Sequence, residues 1–526
     1  MTSLLVGDIP RRNARRFGSK PAVVCQDRTL SWSAIDERSN RLATALLDSG
    51  LRSGDRVAVC SRNCLEWPEI VFGLAKAGLV LVPINTRLAV DEVAHALGVV
   101  EPAAAILHHD HVADLGEVFA DPLLPVLEIG GGELGRPYDT ALTSGWAVDP
   151  TPAGLHGDDP RVLLFTSGTT GRPKAAIHSH EGMLMAALDH LILTRGRHDD
   201  VCLAATPFFT AGGMMRTLNW THLGQTMVVM PRFDEAAALA LVERHRITTT
   251  IMVPTMLARL LDAHNGSHDT SSLRLVGYGS APMPTALAKE ASGALGTPLF
   301  QQYGSTETGG LVTFLSPEHH RRALEGEEHL LASCGMETPL SEIRVLVGPG
   351  VEAEMGGLGE IAVRGPSLAT GYWGRAQDWA ATTDDGWLLT GDVGRQDEEG
   401  LIYLVDRKND MIVSGAFNVY PAEIERVLTS DPRVRLAAVV GAADPEWGER
   451  PVAYVVPRRG ASAEDLVEDL TDLCRTHLAG YKQPREVHLR DDLPTTAAGK
   501  ILRRALRTPP ESGERNVSRP DRPKVG

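Results

Sequence analysis

Between Ser31 and about Asp234 the sequence alternates helix-like segments, such as SAIDERSNRLATALLDSG, with short apolar runs such as RVAVC, LVLVPI and TMVVM. Apolar residues recurring every three to four positions need one buried helix face, whereas a compact run of aliphatic and β-branched residues reads as a buried strand. Alternation of the two leaves one economical solution, a sheet with helices packed on its faces, which is the α/β class. In the helix that includes Ser33, Ile35, Leu42 and Leu46 fall on one stripe, and Gly50 stands where the helix should stop. A second series, TTTIMVP, LRLVGYGSAP and PLFQQYGSTETGG, ends its strands in loops of Gly, Ser and Pro. Ligands of open α/β sheets lie beyond the carboxyl ends of the strands, so chemistry is expected in those loops.

From about Gly335 to Tyr403 the texture changes to short β-like runs separated by glycine turns: EIRVLV, GEIAVRG, WLLTGDVG and LIYLVDRK. This predicts a small barrel or sheet appended to the α/β core. NVYPAEIERVLTSDPRVRLAAVVG and RPVAYVVP then suggest a compact α+β unit ending near Leu506. A chain of 526 residues exceeds what one core supports. The expected division is a large domain over 1–408, made of two α/β subdomains and a small β-barrel-like one, a small α+β domain over 409–506, and a disordered tail over 507–526.

The stretch TSGTTGRPK, Thr166 to Lys174, follows the strand-like RVLLF and precedes AAIHSHEGMLMAALDHLI, which has helical spacing, so it reads as a strand-to-helix loop. Glycine and hydroxyl residues in such a loop can offer N–H and O–H groups to a phosphate, or simply make a polar turn. It is not a Walker loop: the glycines are Gly168 and Gly171, the lysine is Lys174, and Ala175 occupies the place of the metal-binding hydroxyl.

A formal net charge of −15 speaks against a nucleic-acid surface, which needs a concentrated excess of Lys and Arg. Six scattered cysteines have neither disulfide nor zinc spacing and read as reduced thiols. The N-terminal apolar run is too short for a signal peptide, and IVFGLAKAGLVLVPI is interrupted by Lys76 and falls short of a membrane span. The expectation is a cytoplasmic protein without a membrane span; oligomeric state is left open.

TSGTTGRPK, QQYGSTETGG, TGDVGRQDEEGLIYLVDRKNDMI and PTTAAGKILRR together, in this order, resemble the signature segments of the adenylate-forming superfamily, over roughly Ser31 to Arg504. That family contains acyl-CoA synthetases, the adenylation domains of peptide synthetases and firefly luciferase. The resemblance implies ATP-dependent activation of a carboxylic acid as acyl-AMP, with Mg²⁺ and coenzyme A, by a large α/β domain and a small mobile C-terminal domain. Activation brings two anions together, a carboxylate and the α-phosphate, so backbone dipoles, a metal ion and a cation are needed where charge builds up.

On that resemblance Thr166, Ser167, Gly168, Thr169, Thr170, Gly171 and Lys174 hold the β- and γ-phosphates. Pro173 has no N–H to give, so hydroxyls join the glycine amides. Gly279, Ser280 and Ala281 line the adenine and the acyl pocket. In the segment from Gln302, Tyr303 stacks on adenine beside Gly304, Thr306 meets the α-phosphate and Glu307 holds Mg²⁺. Asp392 accepts the ribose hydroxyls and Arg407 reaches the same ribose. Lys500 is the catalytic lysine bridging carboxylate and α-phosphate. Asn409 stands at the hinge, where the family usually carries Asp or Lys.

Coenzyme A is the acceptor implied by Arg87, Trp447, Tyr481 and Arg485, with Ser414 and Gly415 on the face presented after domain rotation. Gln483 takes the place of a base found in some relatives. A carrier-protein phosphopantetheine is the alternative acceptor, and a catalytically silent nucleotide-binding homologue the alternative from another class. In TPFFTAGGMMRT the expected acyl-pocket residues are Phe209, Thr210 and Gly213, together with Gly279. Thr210 replaces the usual gating histidine, and no aspartate is present to pair an amino group, so a fatty or aryl acid is expected rather than an amino acid. Arg216 reads foremost as a solvated or structural arginine, with a second substrate carboxylate as the other reading.

Overall fold

The computed structural model describes residues 5–166, 173–408, 410–414, 417–444, 447–458, 460, 465–495 and 501–507. Its centre is two mixed sheets with helices on their faces. Among the described residues, the nine-stranded sheet runs in the order Met336–Glu337, Thr313–Leu315, Leu299–Tyr303, Leu275–Gly279, Thr249–Met252, Val201–Ala204, Thr226–Val229, Pro21–Cys25, Arg28–Ser31. The six strands from Leu299–Tyr303 to Pro21–Cys25 are parallel to their neighbours. Their carboxyl ends therefore lie along one edge, and three of them open into the ATPFF, GSAP and YGSTE segments. The second sheet, of eight strands, is built on Arg56–Cys60 and Val80–Pro83 and continues through Pro160–Phe165 to Ala175–Ser179 and Gly371–Tyr372.

The helix Trp32–Asp48 is capped by Ser31, whose side chain accepts from Ala34 N–H, and buries Ile35, Leu42 and Leu46 as the stripe predicted. It packs on the helix Trp67–Lys76, and both contribute to the largest apolar core. Their charged groups are paired where buried: Lys76 contacts Asp36 and Asn40, and Glu69 receives Arg38.

Glu342–Gly348, Gly359–Arg364, Trp387–Gln396 and Ile402–Arg407 form the heart of a curled antiparallel sheet of six strands, where the glycine-punctuated runs predicted it. The small C-terminal domain is a five-stranded sheet centred on the antiparallel pair Val434–Asp444 and Gly448–Pro457, backed by the helices Pro421–Leu428 and Leu466–His477. It is tied to the helices Pro254–Ala263 and Thr285–Leu295 by two ion pairs, Arg435 to Asp262 at 3.2 Å and Arg458 to Glu290 at 2.7 Å. Among the described residues no helix is long and apolar enough to cross a membrane.

Candidate active site

The segment around Thr166 is not a strand-to-helix loop: Ala175–Ser179 is a strand, antiparallel to Pro160–Phe165, and the helix begins only at His180 behind a Ser179 cap. Thr166 N–H donates to Lys174 C=O at 2.8 Å and closes the feet of a strand-to-strand loop. AAIHS has helical spacing by itself, but its apolar residues serve two ladders, since Gly371–Tyr372 pairs on its far side. Ser167, Gly168, Thr169, Thr170 and Gly171 lie outside the described residues.

That second ladder positions the lysine. Lys174 Nζ lies 5.0 Å from the centroid of the Tyr372 ring and 3.8 Å from Asp378 Oδ2. Tyr372 donates its hydroxyl to Glu307 Oε1 at 2.9 Å, so one aromatic side chain connects Lys174 to Glu307. Nothing in the sequence marks Tyr372; its role depends on a two-residue strand added almost two hundred positions after the loop.

Thr306 and Glu307 sit in the loop after Leu299–Tyr303. His178 Nε2 meets Thr306 C=O at 2.9 Å, Glu307 C=O receives Ala369 N–H at 2.8 Å, and Thr308 Oγ1 donates to Gly310 C=O at 2.9 Å. Gly304 is obligatory, because a Cβ there would lie 1.5 Å from Gly310 C=O. His178 is buried, which pushes its pKa down to about 4 and keeps the imidazole neutral at ordinary pH.

Asp392 and Arg407 are cross-strand partners in the curled sheet. Asp392 Oδ1 pairs with Arg407 Nε at 3.0 Å while Oδ2 accepts the Tyr303 hydroxyl at 2.6 Å. Burial and the neighbouring carboxylate push the Tyr303 phenol well above its ordinary range, so it remains a donor. Each carboxylate oxygen can accept more than one hydrogen bond, which leaves Asp392 free to accept from two further hydroxyls. The segments carrying Tyr303, Asp392 and Arg407, remote in sequence, thus meet at one carboxylate.

GSAP and TPFFTAGG approach the same loops. Gly279 is in register with Gln302, and a Cβ on it would lie 2.5 Å from Gln302 C=O. Ser280 follows at φ +68°, a left-handed conformation uncommon for a residue with a side chain. Thr210 caps the helix Ala211–Asn219: its hydroxyl accepts from Gly213 N–H at 3.1 Å and donates to Pro207 C=O at 2.8 Å. The residue standing in for a gating histidine is therefore occupied as a cap. Phe209 is buried, and Asn63, unmarked in the sequence, fixes this loop by accepting from Phe208 N–H and donating to Thr206 C=O. Arg216, one turn into the helix, is buried and not solvated.

Lys500, Asn409 and Gly415 lie outside the described residues. Thr495 and Ile501, which flank Lys500, form an antiparallel bridge, and Arg503 beyond them pairs with both oxygens of Glu425 at 2.7 and 2.8 Å. Asp406 accepts from Arg407 N–H and from Ala422 N–H of the C-terminal domain. Of the coenzyme A candidates, Ser414 is in register with Gly448, which puts it beside the exposed Trp447. Tyr481 packs against the C-terminal core, Arg485 is exposed, and Arg87 is exposed on the large domain. The ladder thus brings Ser414 to Gly448, next in sequence to Trp447, and the short helix Gly480–Lys482 that carries Tyr481 lies against the neighbouring strand Phe417–Val419.

Comparison with known proteins covers both the large and the small domain. Residues 10–373 match the model of the AMP-binding enzyme family and residues 423–500 that of the AMP-binding enzyme C-terminal domain. The chain is 36% identical to a feruloyl-CoA synthase of an Amycolatopsis species over 95% of its own length and 98% of the relative's. It is 35% identical to the fatty acid–[acyl-carrier-protein] ligase ScoC of Streptomyces coeruleorubidus, over 94% of each. The crystal structure of the anthranilate CoA ligase AuaEII in complex with anthranoyl-AMP superposes with a TM-score of 0.88 at 27% identity, covering 96% of this chain and 97% of that one. Both halves of the chain and nearly its whole length are accounted for in this way: it belongs to the AMP-binding enzyme family, the adenylate-forming ligases.

Proposed function

We propose that the chain is an AMP-forming acid–thiol ligase in which a substrate carboxylate attacks the α-phosphorus of ATP, pyrophosphate leaves, and the acyl group of the resulting acyl-AMP passes to the thiol of coenzyme A with release of AMP. The observation that carries this reading is the convergence of Tyr303, Asp392 and Arg407 at one carboxylate, next in sequence to the loop whose Glu307 is joined through Tyr372 to Lys174. In this reading Asp392 and Arg407 hold the ribose, Tyr303 presents its ring to adenine, and Thr306 binds the α-phosphate. Lys174 and the Thr166–Gly171 loop bind the β- and γ-phosphates, and Lys500 serves the attacking carboxylate.

Glu307 forms no ion pair with Lys, Arg or His among the described residues, so its charge is available to a cation, which fits Mg²⁺ held by one carboxylate together with substrate phosphates. When bound, Mg²⁺ supplies neutralisation of phosphate charge; the protein's part is to orient the carboxylate through Tyr372. We assign residues 1–408 to the acid- and nucleotide-binding domain and 409–506 to a domain that rotates between the half-reactions about Asn409. In the second, the face with Ser414, Gly415 and Trp447 receives the thiol, with Arg87, Tyr481 and Arg485 as further contacts. A fatty or aryl acid as substrate, in the cytoplasm, where ATP and coenzyme A are plentiful, completes the reading. The likeness to ScoC favours a second acceptor, a carrier-protein phosphopantetheine, for the same thiol step.

A panel of carboxylic acids scored for pyrophosphate release, with coenzyme A, with a carrier protein or with neither, tests the proposal. The expected result is acid-dependent pyrophosphate with one equivalent of AMP, and thioester only when a thiol is added. Formation of ADP and phosphate would refute it.

A further inference from the structure

Arg216 is a cation enclosed in the protein with no acid among the described residues to balance it. It is 5% exposed, no Asp or Glu pairs with it among the described residues, and its Nε has no hydrogen-bond partner. What surrounds it is neutral: with the Asn219 amide turned so that its oxygen faces the guanidinium, Asn219 accepts from Nη1 at 3.0 Å, and the Trp220 ring lies 6.0 Å from the guanidinium carbon. Burying an ion without a counterion is costly, which makes such an arginine a candidate to receive an anion that the free protein does not supply. Arg161, the other buried arginine without an acid among the described residues, donates from Nη2 to Val71 C=O but has Nε and Nη1 without partners; it differs in place, lying in the eight-stranded sheet away from the loops described above.

The helix fixes where Arg216 faces. Within Ala211–Asn219, positions 212, 215 and 216 share one face, by the i, i+3, i+4 rule. A Cβ on Gly212 would lie 3.9 Å from Ser280 Oγ, and one on Gly310 would lie 3.7 Å from Met215 Cγ. That face therefore looks at the two loops that flank the proposed acyl pocket. Two more polar side chains lie there facing each other, Gln302, on the strand that leads to Tyr303, and His190; the buried Gln302 Oε1 and His190 Nδ1 have no partner outside the pair among the described residues. His190 faces Gln302 and feels the Arg216 charge, which together with burial holds it far below the usual imidazole range. An apolar chain end would leave the buried Arg216 Nε unsatisfied and its charge unbalanced.

Resting on the ligase reading above, we propose that the acid substrate carries a second anionic group at the end remote from the reacting carboxylate, most simply a second carboxylate, and that Arg216 receives it, with Gln302 and His190 beside it. Arg216 is thus a specificity-determining residue, and the substrate class is a dicarboxylic acid with an apolar or aromatic middle.

The test uses the full-length enzyme and matched acids that differ only at the far end, carboxylate against methyl, in a linear and an aromatic series. The kcat/KM for acid-dependent pyrophosphate release is expected to favour the diacid at least tenfold in one series. In Arg216→Met the diacid-to-monoacid ratio is expected to fall at least tenfold, and in Arg216→Lys to be partly restored; a neutral bystander arginine would not give that rescue. A wild-type preference for methyl-ended acids overturns the inference without recourse to any variant, as does a ratio unchanged in a folded Arg216→Met enzyme. In either case pyrophosphate release from the monoacids still upholds the ligase reading, whereas release from no acid at all sinks both.

Discussion

At the scale of single residues, the site depends on hydrogen bonds that hold charged groups in place before ligand arrives. Tyr372→Phe removes only the hydroxyl that Glu307 Oε1 accepts. A hydrogen bond to a charged group contributes about 1.5–3 kcal/mol, so kcat/KM for pyrophosphate release should fall by roughly 10- to 100-fold. Because the loss acts through the carboxylate orientation, the Mg²⁺ concentration for half-maximal rate should rise as well, which a magnesium titration of the variant checks. Asp392→Asn breaks a different set: it keeps the shape but removes the charge that holds Arg407 and Tyr303. The expected outcome is a rise in KM for ATP of at least tenfold with a smaller change in KM for the acid, measured by initial rates. Tyr372, His178 and Asn63 were not legible beforehand, since a lone Tyr, His or Asn gains meaning only from the distant backbone it touches. The acidic and basic residues of the signature segments were legible because their order along the chain is itself informative.

At the scale of elements, the sequence foretold most strands and the capped helix Trp32–Asp48, for a simple reason: buried strands here are short aliphatic and β-branched runs, and their length and composition set them apart from the longer stripe of the helix. It misjudged Ala175–Ser179, because a five-residue run with three apolar residues is too short to fix a period and the choice was made by partners, Pro160–Phe165 on one side and Gly371–Tyr372 on the other. Pairing of Pro21–Cys25 with Thr226–Val229 was hidden for the same reason, since nothing local specifies a neighbour two hundred residues away. The loop after Leu299–Tyr303 is the least forgiving element. Gly304→Ala would push a methyl into Gly310 C=O, and the backbone must move to relieve it. The unfolding midpoint is expected to drop by several degrees and nucleotide binding to weaken together with it; a variant with unchanged midpoint and affinity would mean that the loop has room not visible here.

At the scale of the whole molecule, two ion pairs, Arg435 with Asp262 and Arg458 with Glu290, tie the small domain to the large one. If the small domain rotates between half-reactions, both pairs must break each cycle. Asp262→Asn combined with Glu290→Gln should then alter the balance between acyl-AMP formation and thiol transfer by a few-fold while leaving the unfolding midpoint within about 2 °C, since half-exposed pairs reached by solvent contribute little to stability. Separate assays of the two half-reactions detect the shift.

Acid should destabilise the fold through its enclosed histidines. Burial lowers His178 and His320 to about 4 and His180 to about 3, below the unfolded value near 6.5. The unfolded chain then binds protons that the native one refuses, so their contribution is complete above about pH 6.5 and is lost as pH falls toward 4. From pH 7 to 5 each such histidine should cost about 2 kcal/mol. Asp406, raised to about 6 mainly by burial, works in the opposite sense and recovers part of the loss. A thermal unfolding series across that range should show a falling midpoint.

The most direct test of the central claim is a single assay, acid-dependent exchange of labelled pyrophosphate into ATP, run on the wild type and on Lys174→Ala, Glu307→Gln and Asp392→Asn. The account predicts exchange that requires an acid but no thiol, and losses of at least tenfold in all three variants, because the three side chains serve one nucleotide. Exchange that proceeds undiminished in folded variants would mean that Lys174, Glu307 and Asp392 do not share a site.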